Sequence, residues 1–189
     1  EGKVVPHLHI PLQSGDEGVL RDMNRPYTRA DYLSRVKELR GISLTTDVIV
    51  GFPTETESRF ARTRELFEEI EFLKAHVFTF SPRPGTPAER WGDPISPEVK
   101  ADRRRVLLEA TARSGAAVRD RHLGKTVRVL VEGKERRDGL LECTSDHYLT
   151  VRFAGSRALC RSLQWVHLSA RDGETMVGEL VSEPGLRVI

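Results

Sequence analysis

"TTDVIVGFPTET", residues 45–56, carries the clearest fold signal in the chain. Thr45, Thr46 and Asp47 lead into the apolar run Val48, Ile49 and Val50, which Gly51, Phe52 and Pro53 break before a polar, carboxylate-rich continuation. A short β-branched run closed by a glycine–proline turn reads as a buried strand, here over residues 43–52. A helix is expected from Thr56, carrying Phe60, Phe67, Ile70 and Leu73. Strand, turn and helix in this order form the unit of a parallel α/β layout. The turn after such a strand's carboxyl end is a usual place for a ligand.

The same order repeats on both sides. "VVPHLHIPL" (4–12) is extended, with Val5, His7 and His9 on one face and Leu8, Ile10 and Leu12 on the other; "QSGD" (13–16) closes it with turn residues. A helix starts near Thr28. Thr28 and Asp31 form a T-x-x-D capping box, with Tyr27 and Tyr32 at the staple positions, and the helical stripe ends near Gly41. A third strand, "AHVFTFS" (75–81), precedes the breaker-rich "PRPGTPAERWGDP" (82–94). Ser96-Pro97 then caps a helix from about 97 to 122. Three successive strand–helix units imply parallel strands with right-handed crossovers. A parallel sheet of three strands has two open edges and buries little, so half of a barrel or sheet is expected upstream.

From residue 124 the helical pattern gives way to five short alternating runs: "TVRVLVEG", "DGLLECTS", "YLTVRFAG", "LQWVHLSA" and "TMVGELVS". These suggest a small antiparallel barrel, of a size that commonly binds nucleic acid. The expected domains are therefore 1–122 and 123–189.

Among 189 residues, 38% are hydrophobic and 31% charged, a globular composition with material for a core. No apolar run approaches the ~20 residues needed to cross a bilayer, so no membrane partner is expected. Two cysteines, Cys143 and Cys160, are too few for a disulfide framework and point to the reducing cytoplasm. The net charge of +2 hides an asymmetry: residues 100–137 hold 12 Lys/Arg against 5 Asp/Glu. Such a block fits either a polyanionic partner or a solvated helix face.

"HLHIPLQSG", "TTDVIVGFPTET" and "HVFTFSPRPGTPA", in this order, closely resemble the methylthiotransferase branch of the radical S-adenosylmethionine (SAM) enzymes. The segment beginning "LGKTVRVLVEG" is similar to the family's TRAM RNA-binding domain, an OB-like barrel. Within the family, the second and third motifs look most like the MtaB type, which acts on threonylcarbamoyl-adenosine beside the tRNA anticodon. The MiaB type, which acts on isopentenyl-adenosine, is close behind. The resemblance implies the C-terminal half of a partial (β/α)6 barrel followed by TRAM. It also implies SAM as cofactor, an electron donor such as flavodoxin, and the tRNA anticodon stem-loop as partner.

The family further carries two [4Fe–4S] clusters, one on a C-x-x-x-C-x-x-C loop. Clusters need thiolates, and this chain offers only two cysteines, 17 residues apart. No catalytic residue is therefore assigned here, and the chain alone is expected to be inactive.

By resemblance, Gln13 and Ser14 contact the ribose and methionine end of SAM, while Asp47 to Phe52 form the cofactor-binding fifth-strand motif, with Val50, Gly51 and Phe52 beside the adenine. Read without it, Gln13 and Ser14 are ordinary turn residues. Asp47 still needs a partner, because a carboxylate in an apolar strand is costly alone. Thr79, Ser81, Arg83 and Thr86 are candidates for the site or the RNA, while Phe78 and Phe80 are expected in the core. His7 and His9 have H-x-H spacing, but with no third ligand patterned nearby, lining the barrel interior or a polar strand layer is preferred over a metal site.

Arg25 is placed to meet a carboxylate or phosphate, or to form a surface ion pair. A phosphate track is drawn through Arg103 to Arg105, Arg113, Arg119, Arg121, Lys125, Arg128, Lys134, Arg136 and Arg137. Tyr148, Phe153 and Trp165 are either base-stacking platforms or core fillers, and both cysteines read as small buried hydrophobes. One position departs from the family pattern. Gly-Phe-Pro-Gly-Glu-Thr is usual, and Thr54 replaces the second glycine, which would strain the turn if that position needs positive φ. Two other readings stay open: an RNA-binding module without activity, and a ribosomal-protein methylthiotransferase.

Overall fold

The computed structural model describes residues 4–135 and 139–184, without the side chains of 133–135. It divides into two compact units: Leu8–Gly115, and Ala116 onward together with the residues up to His7.

The first unit is built on three neighbouring strands, β1 (His7–His9), β2 (Ser43–Val50) and β3 (Phe72–Thr79), in that order. β2 and β3 are parallel. Past β1 the chain keeps step with β2: Ile10 N–H donates to Thr45 O, Gln13 N–H to Asp47 O, and Ile49 N–H to Gln13 O. The helices are α1 (Glu17–Asp22), α2 (Arg29–Glu38), α3 (Glu57–Glu69) and α4 (Pro97–Asp120).

Local chemistry sets the helix starts. Thr28 and Asp31 close the reciprocal capping box expected for α2, and Thr56 caps α3 through the Arg59 N–H. The short α1 was not expected. Asp16, read as a turn residue, is its N-cap and accepts from Val19 N–H. Its carboxyl group is almost fully buried, and Arg59 and Arg62 reach it from α3.

One face of the sheet packs on the helices. Val48, Val50, Phe60, Leu66, Phe67, Phe72 and Leu107 are all buried there, each contributing on the order of 1.5–3 kcal/mol by leaving water. Thr46 lies on this same face. Its hydroxyl donates to Ile10 O at 2.8 Å and accepts from Leu12 N–H at 3.0 Å, so the buried threonine leaves no polar atom stranded.

The third strand corrects an expectation. Phe78 and Phe80 do not enter the core: Phe78 is 53% exposed, while Ala75 and Val77 point inward. The pairing slips between Leu44/Phe72 and Thr45/Lys74. This bulge inserts one residue and reverses which face each later side chain takes. Phe72, ahead of it, packs on Phe67 with ring centroids 5.1 Å apart; His76 and Phe78, behind it, face away.

The second unit holds β4 (Thr126–Glu135), β5 (Leu140–Ser145), β6 (Thr150–Ala154), β7 (Leu163–Asp172) and β8 (Thr175–Val181), closed in the order β4-β5-β6-β8-β7. The five expected runs all form strands, but the barrel is not wholly antiparallel: β6 and β8 run parallel. An odd ring cannot alternate direction all the way round, so closing five strands requires a parallel neighbour. Val129, Val131, Leu141, Val151, Phe153, Leu168 and Met176 fill the interior. Cys143 is also fully buried, which pushes its thiol up to about 12, whereas Cys160 is half-buried. No helix among the described residues is long and apolar enough to cross a membrane.

Candidate functional site

Strand alternation decides what faces the open side of the first unit. On β2, Leu44, Thr46, Val48 and Val50 point to the helices, leaving Asp47 and Ile49 on the other face. There they adjoin His76 and Phe78, their register partners on β3. Past the carboxyl ends of the strands this face deepens into a pocket of about 700 Å³. Its lining draws on the turn after β1 (Gln13), the end of α1 with the residues just beyond it (Asp22 to Arg25), β2 and its turn (Asp47, Ile49, Phe52), and the segment from Phe78 to Ala88.

The walls are aromatic. Phe52 meets Phe80 edge-on at 5.2 Å and Trp91 at 5.5 Å. The polar groups are placed more sparingly. Asp47 finds the partner its position demands in His9, whose Nε2 lies 3.4 Å from Asp47 Oδ2, while His9 Nδ1 meets Thr45 Oγ1 at 3.0 Å. Asp22 accepts from the Thr54 hydroxyl at 2.6 Å and from Arg59 Nη1 at 3.4 Å. Arg25 and Arg83 line the pocket and make no ion pair among the described residues. Gln13 lies in it at φ 63° and Asn24 at φ 55°, both in the left-handed region. Such backbone costs about 1–3 kcal/mol for a non-glycine residue and gathers at sites where function requires it.

Beneath the pocket, α4 secures the two loops. Gly51 has φ 76°, and a Cβ there would lie 2.4 Å from Lys100 Cγ. Lys100 is buried beneath it, its ammonium bonded to Phe80 O at 3.0 Å and paired with Asp93. Glu55 is also buried. Its Oε1 accepts from Gly51 N–H and from Arg103 Nη1, both at 2.8 Å. Burial pushes the Glu55 carboxyl above its ordinary range, an effect partly offset by Gly51 N–H and Arg103.

Of the residues singled out from the sequence, Gln13, Arg25, Asp47, Phe52, Thr79 and Arg83 line the pocket, as do Ser81 and Thr86. Three others do not. Ser14 is fully buried and its hydroxyl accepts from Asp16 N–H. Val50 stands three residues from Asp47 and so points to the opposite face, with its carbonyl accepting from Phe80 N–H. Gly51 donates its N–H to Glu55. Ile49, Phe78, Phe80, Asp22 and Asn24 were missed as lining residues. Asp16 as an N-cap was the available signal for α1, and hence for Asp22 and Asn24.

The basic track is thinner than expected. Arg103 is buried against Glu55 and Glu57, and Arg105 is paired with Asp102 and Glu109. Arg119 is 7% exposed, with Glu174 4.0 Å away, so it is removed from the surface. Arg121 and Lys125 are exposed, and Arg128 is tied to Asp146 at 2.9 Å. Arg136 and Arg137, and the side chain of Lys134, lie outside the described residues. Phe153 is a core filler; Tyr148 is 48% exposed and Trp165 half-buried.

A model of the radical SAM superfamily matches residues 1–67. The chain is 39% identical over 188 residues to a tRNA-2-methylthio-N(6)-dimethylallyladenosine synthase of Geobacillus kaustophilus, covering 96% of this chain and 35% of that protein. A protein of the same name from Protochlamydia amoebophila is 40% identical over 178 residues, covering 92% of this chain and 40% of its own length. The threonylcarbamoyladenosine tRNA methylthiotransferase MtaB of Thermotoga maritima is 42% identical over 159 residues, covering 82% and 36% respectively. The chain thus spans little more than a third of the curated relatives it matches.

Proposed function

Since the chain belongs to the radical SAM methylthiotransferase family, we propose that it is the SAM- and tRNA-holding part of an enzyme that adds a methylthio group to C2 of a modified adenosine beside the anticodon. In this reading the first unit is the C-terminal half of a partial (β/α)6 barrel, the closed barrel is the TRAM domain, and the intact enzyme works on tRNA in the cytoplasm. The observation that carries it is the convergence of Gln13, Asp47, Phe52 and Thr79, from three strand ends, on one aromatic-walled pocket.

The pocket fits SAM by volume and chemistry. Phe52, Phe78 and Phe80 offer ring surface to an adenine, and Gln13 and Thr79 offer polar groups to a ribose. Arg25 and Arg83 suit a carboxylate or phosphate. When bound, SAM supplies the radical and the methyl group of the family's reaction. The chain's own residues bind and orient: Asp47, held by His9, presents a fixed acceptor, and the Lys100 and Glu55–Arg103 contacts hold the walls in place.

Iron–sulfur clusters do not fit these residues. Cys143 is a buried thiol held protonated, and only Cys160 accompanies it. The electron donor and the clusters belong to the remainder of the enzyme in this proposal, and the chain alone is inactive.

Threonylcarbamoyl-adenosine is the proposed nucleoside, since Arg25 and Arg83, which make no ion pair among the described residues, favour an N6 substituent bearing a carboxylate. Isopentenyl-adenosine is the second reading, supported by the names of the dimethylallyladenosine relatives.

Calorimetric titration of SAM tests the proposal. Saturable binding that weakens at least tenfold in Asp47→Ala supports it. RNA binding with no SAM binding would leave only an RNA-binding module. Production of 5′-deoxyadenosine by this chain after iron–sulfur reconstitution would overturn the claim of inactivity.

A further inference from the structure

A second cluster of polar side chains lies in the barrel unit, where the turn between β5 and β6 meets the end of α4. His122, just past α4, and His147, in the turn, bring their ring centroids to 4.6 Å. His122 Nδ1 lies 2.9 Å from Val118 O. A carbonyl only accepts, so this nitrogen carries the hydrogen and Nε2 keeps the lone pair when the ring is neutral. His147 Nδ1 is buried with no hydrogen-bond partner among the described residues, a cost that native structures rarely leave standing.

The charges facing this pair are mostly positive. Arg121 and Lys125 come from the segment after α4, and Lys125 has no ion-pair partner among the described residues. The carboxylate that faces His147, Asp146, is engaged by Arg128 of β4, which also accepts the Asp146 N–H on its carbonyl at 3.0 Å. Burial first, and then Lys125 with Arg121 or the neighbouring ring, holds both imidazoles below their ordinary range. Paired imidazoles, a buried ring nitrogen without a hydrogen-bond partner among the described residues and a nearby ammonium make a corner chemically suited to an anion.

Beside it stands Tyr148, displayed at φ 64°, with 48% exposure. Its ring is stacked on His7, with centroids 4.2 Å apart and planes 9° from parallel. Left-handed backbone is unfavourable for a tyrosine; the bonds from Tyr148 N–H to Ser145 O and from Leu149 N–H to Ser145 Oγ hold the turn in it.

We propose that this corner is an RNA backbone site, in which His122, His147 and Lys125 take one phosphodiester while Tyr148 stacks on an adjoining base. The site rests on the RNA-binding reading of the barrel. An anion at the corner favours the charged form of the rings, so binding there takes up a proton and affinity rises as pH falls.

The test uses the whole chain and a fluorescent RNA hairpin lacking terminal phosphates, because phosphodiesters do not titrate in this range. At constant salt, affinity should rise roughly tenfold from about pH 7.5 to about pH 5.5 by proton linkage. The double variant His122→Asn/His147→Asn should lose most of that rise. In NMR, saturating RNA should move the His122 and His147 ring signals with the dissociation constant seen by fluorescence. If the double variant does not fold, Lys125→Gln carries the test, lowering the slope of affinity against salt by about one contact.

RNA binding with unmoved ring signals, or with an unchanged pH response in the variant, overturns the corner and leaves the RNA reading intact. Inorganic phosphate moving those signals where RNA does not would make it a free-phosphate site and also overturn it. No RNA binding at either pH overturns both readings.

Discussion

The hydroxyl of Thr54 donates to Asp22 Oδ2 at 2.6 Å, tying the turn after β2 to the end of α1. Both residues bear on the pocket: Asp22 lines it, and Arg59 bridges the two by bonding Thr54 O at 2.9 Å and Asp22 at 3.4 Å. The threonine that departs from the family pattern is therefore not strained, since its φ is not positive. Thr54→Val should cost about 1 kcal/mol in urea unfolding, because Asp22 loses a partner. Thr54→Gly should also destabilise. A stabilising glycine would show that the turn is strained after all.

Gln13 makes the opposite case, with φ 63° in the pocket. Gln13→Gly should be more stable than Gln13→Ala by about 1 kcal/mol, since only glycine takes this backbone without penalty. At an ordinary extended position alanine is the more stable of the two, so that order in thermal or urea denaturation would refute the strain.

Gly51 combines positive φ with contact against the Lys100 stem. Gly51→Ala should lose about 1–3 kcal/mol from the backbone alone, and more from the contact. Lys100→Ala removes the contact but leaves Phe80 O and Asp93 without their cation. The double variant should therefore be less damaged than the sum of the two singles, by about 0.5–3 kcal/mol of coupling. Strict additivity in a double-mutant cycle would mean that Lys100 does not press on this turn.

Glu55 gives a pH dependence with a definite sign. Burial raises its folded pKa above the ordinary 4.5, so the folded chain holds this proton more tightly than the unfolded chain. Its contribution to stability is fully present below the unfolded pKa and falls as pH rises from there, levelling off once the folded carboxyl has ionised. Glu55→Gln keeps an acceptor for Gly51 N–H but does not titrate. The stability of the parent relative to this variant should fall as pH rises above about 4.5, and a rise instead would reverse the assignment. Arg103→Met, which strands the buried carboxylate, should cost about 3–5 kcal/mol.

Much of the local structure was legible in the chain itself. The capping box of Thr28 and Asp31, the Thr56 cap and the five alternating runs of the barrel rest on spacings of a few residues, and the structure follows each. Asp47 required a partner on general grounds, and His9 provides it. Asp22 and Asn24 were missed because the six-residue α1 is too short to show a periodic stripe.

The order of residues alone settles which segments become strands and helices, and that three strand ends carry the motifs of one family. Which side chains meet is a matter of tertiary packing. A single slip in the β2–β3 register moved Phe78 and Phe80 from the expected core to the pocket, and strand parity turned Val50 away from it. The basic residues of α4 look alike in sequence, yet Lys100, Arg103 and Arg119 are buried against acceptors and carboxylates from distant segments. Register, ring closure and ion pairing each depend on residues far apart in the chain, and local periodicity carries no record of them.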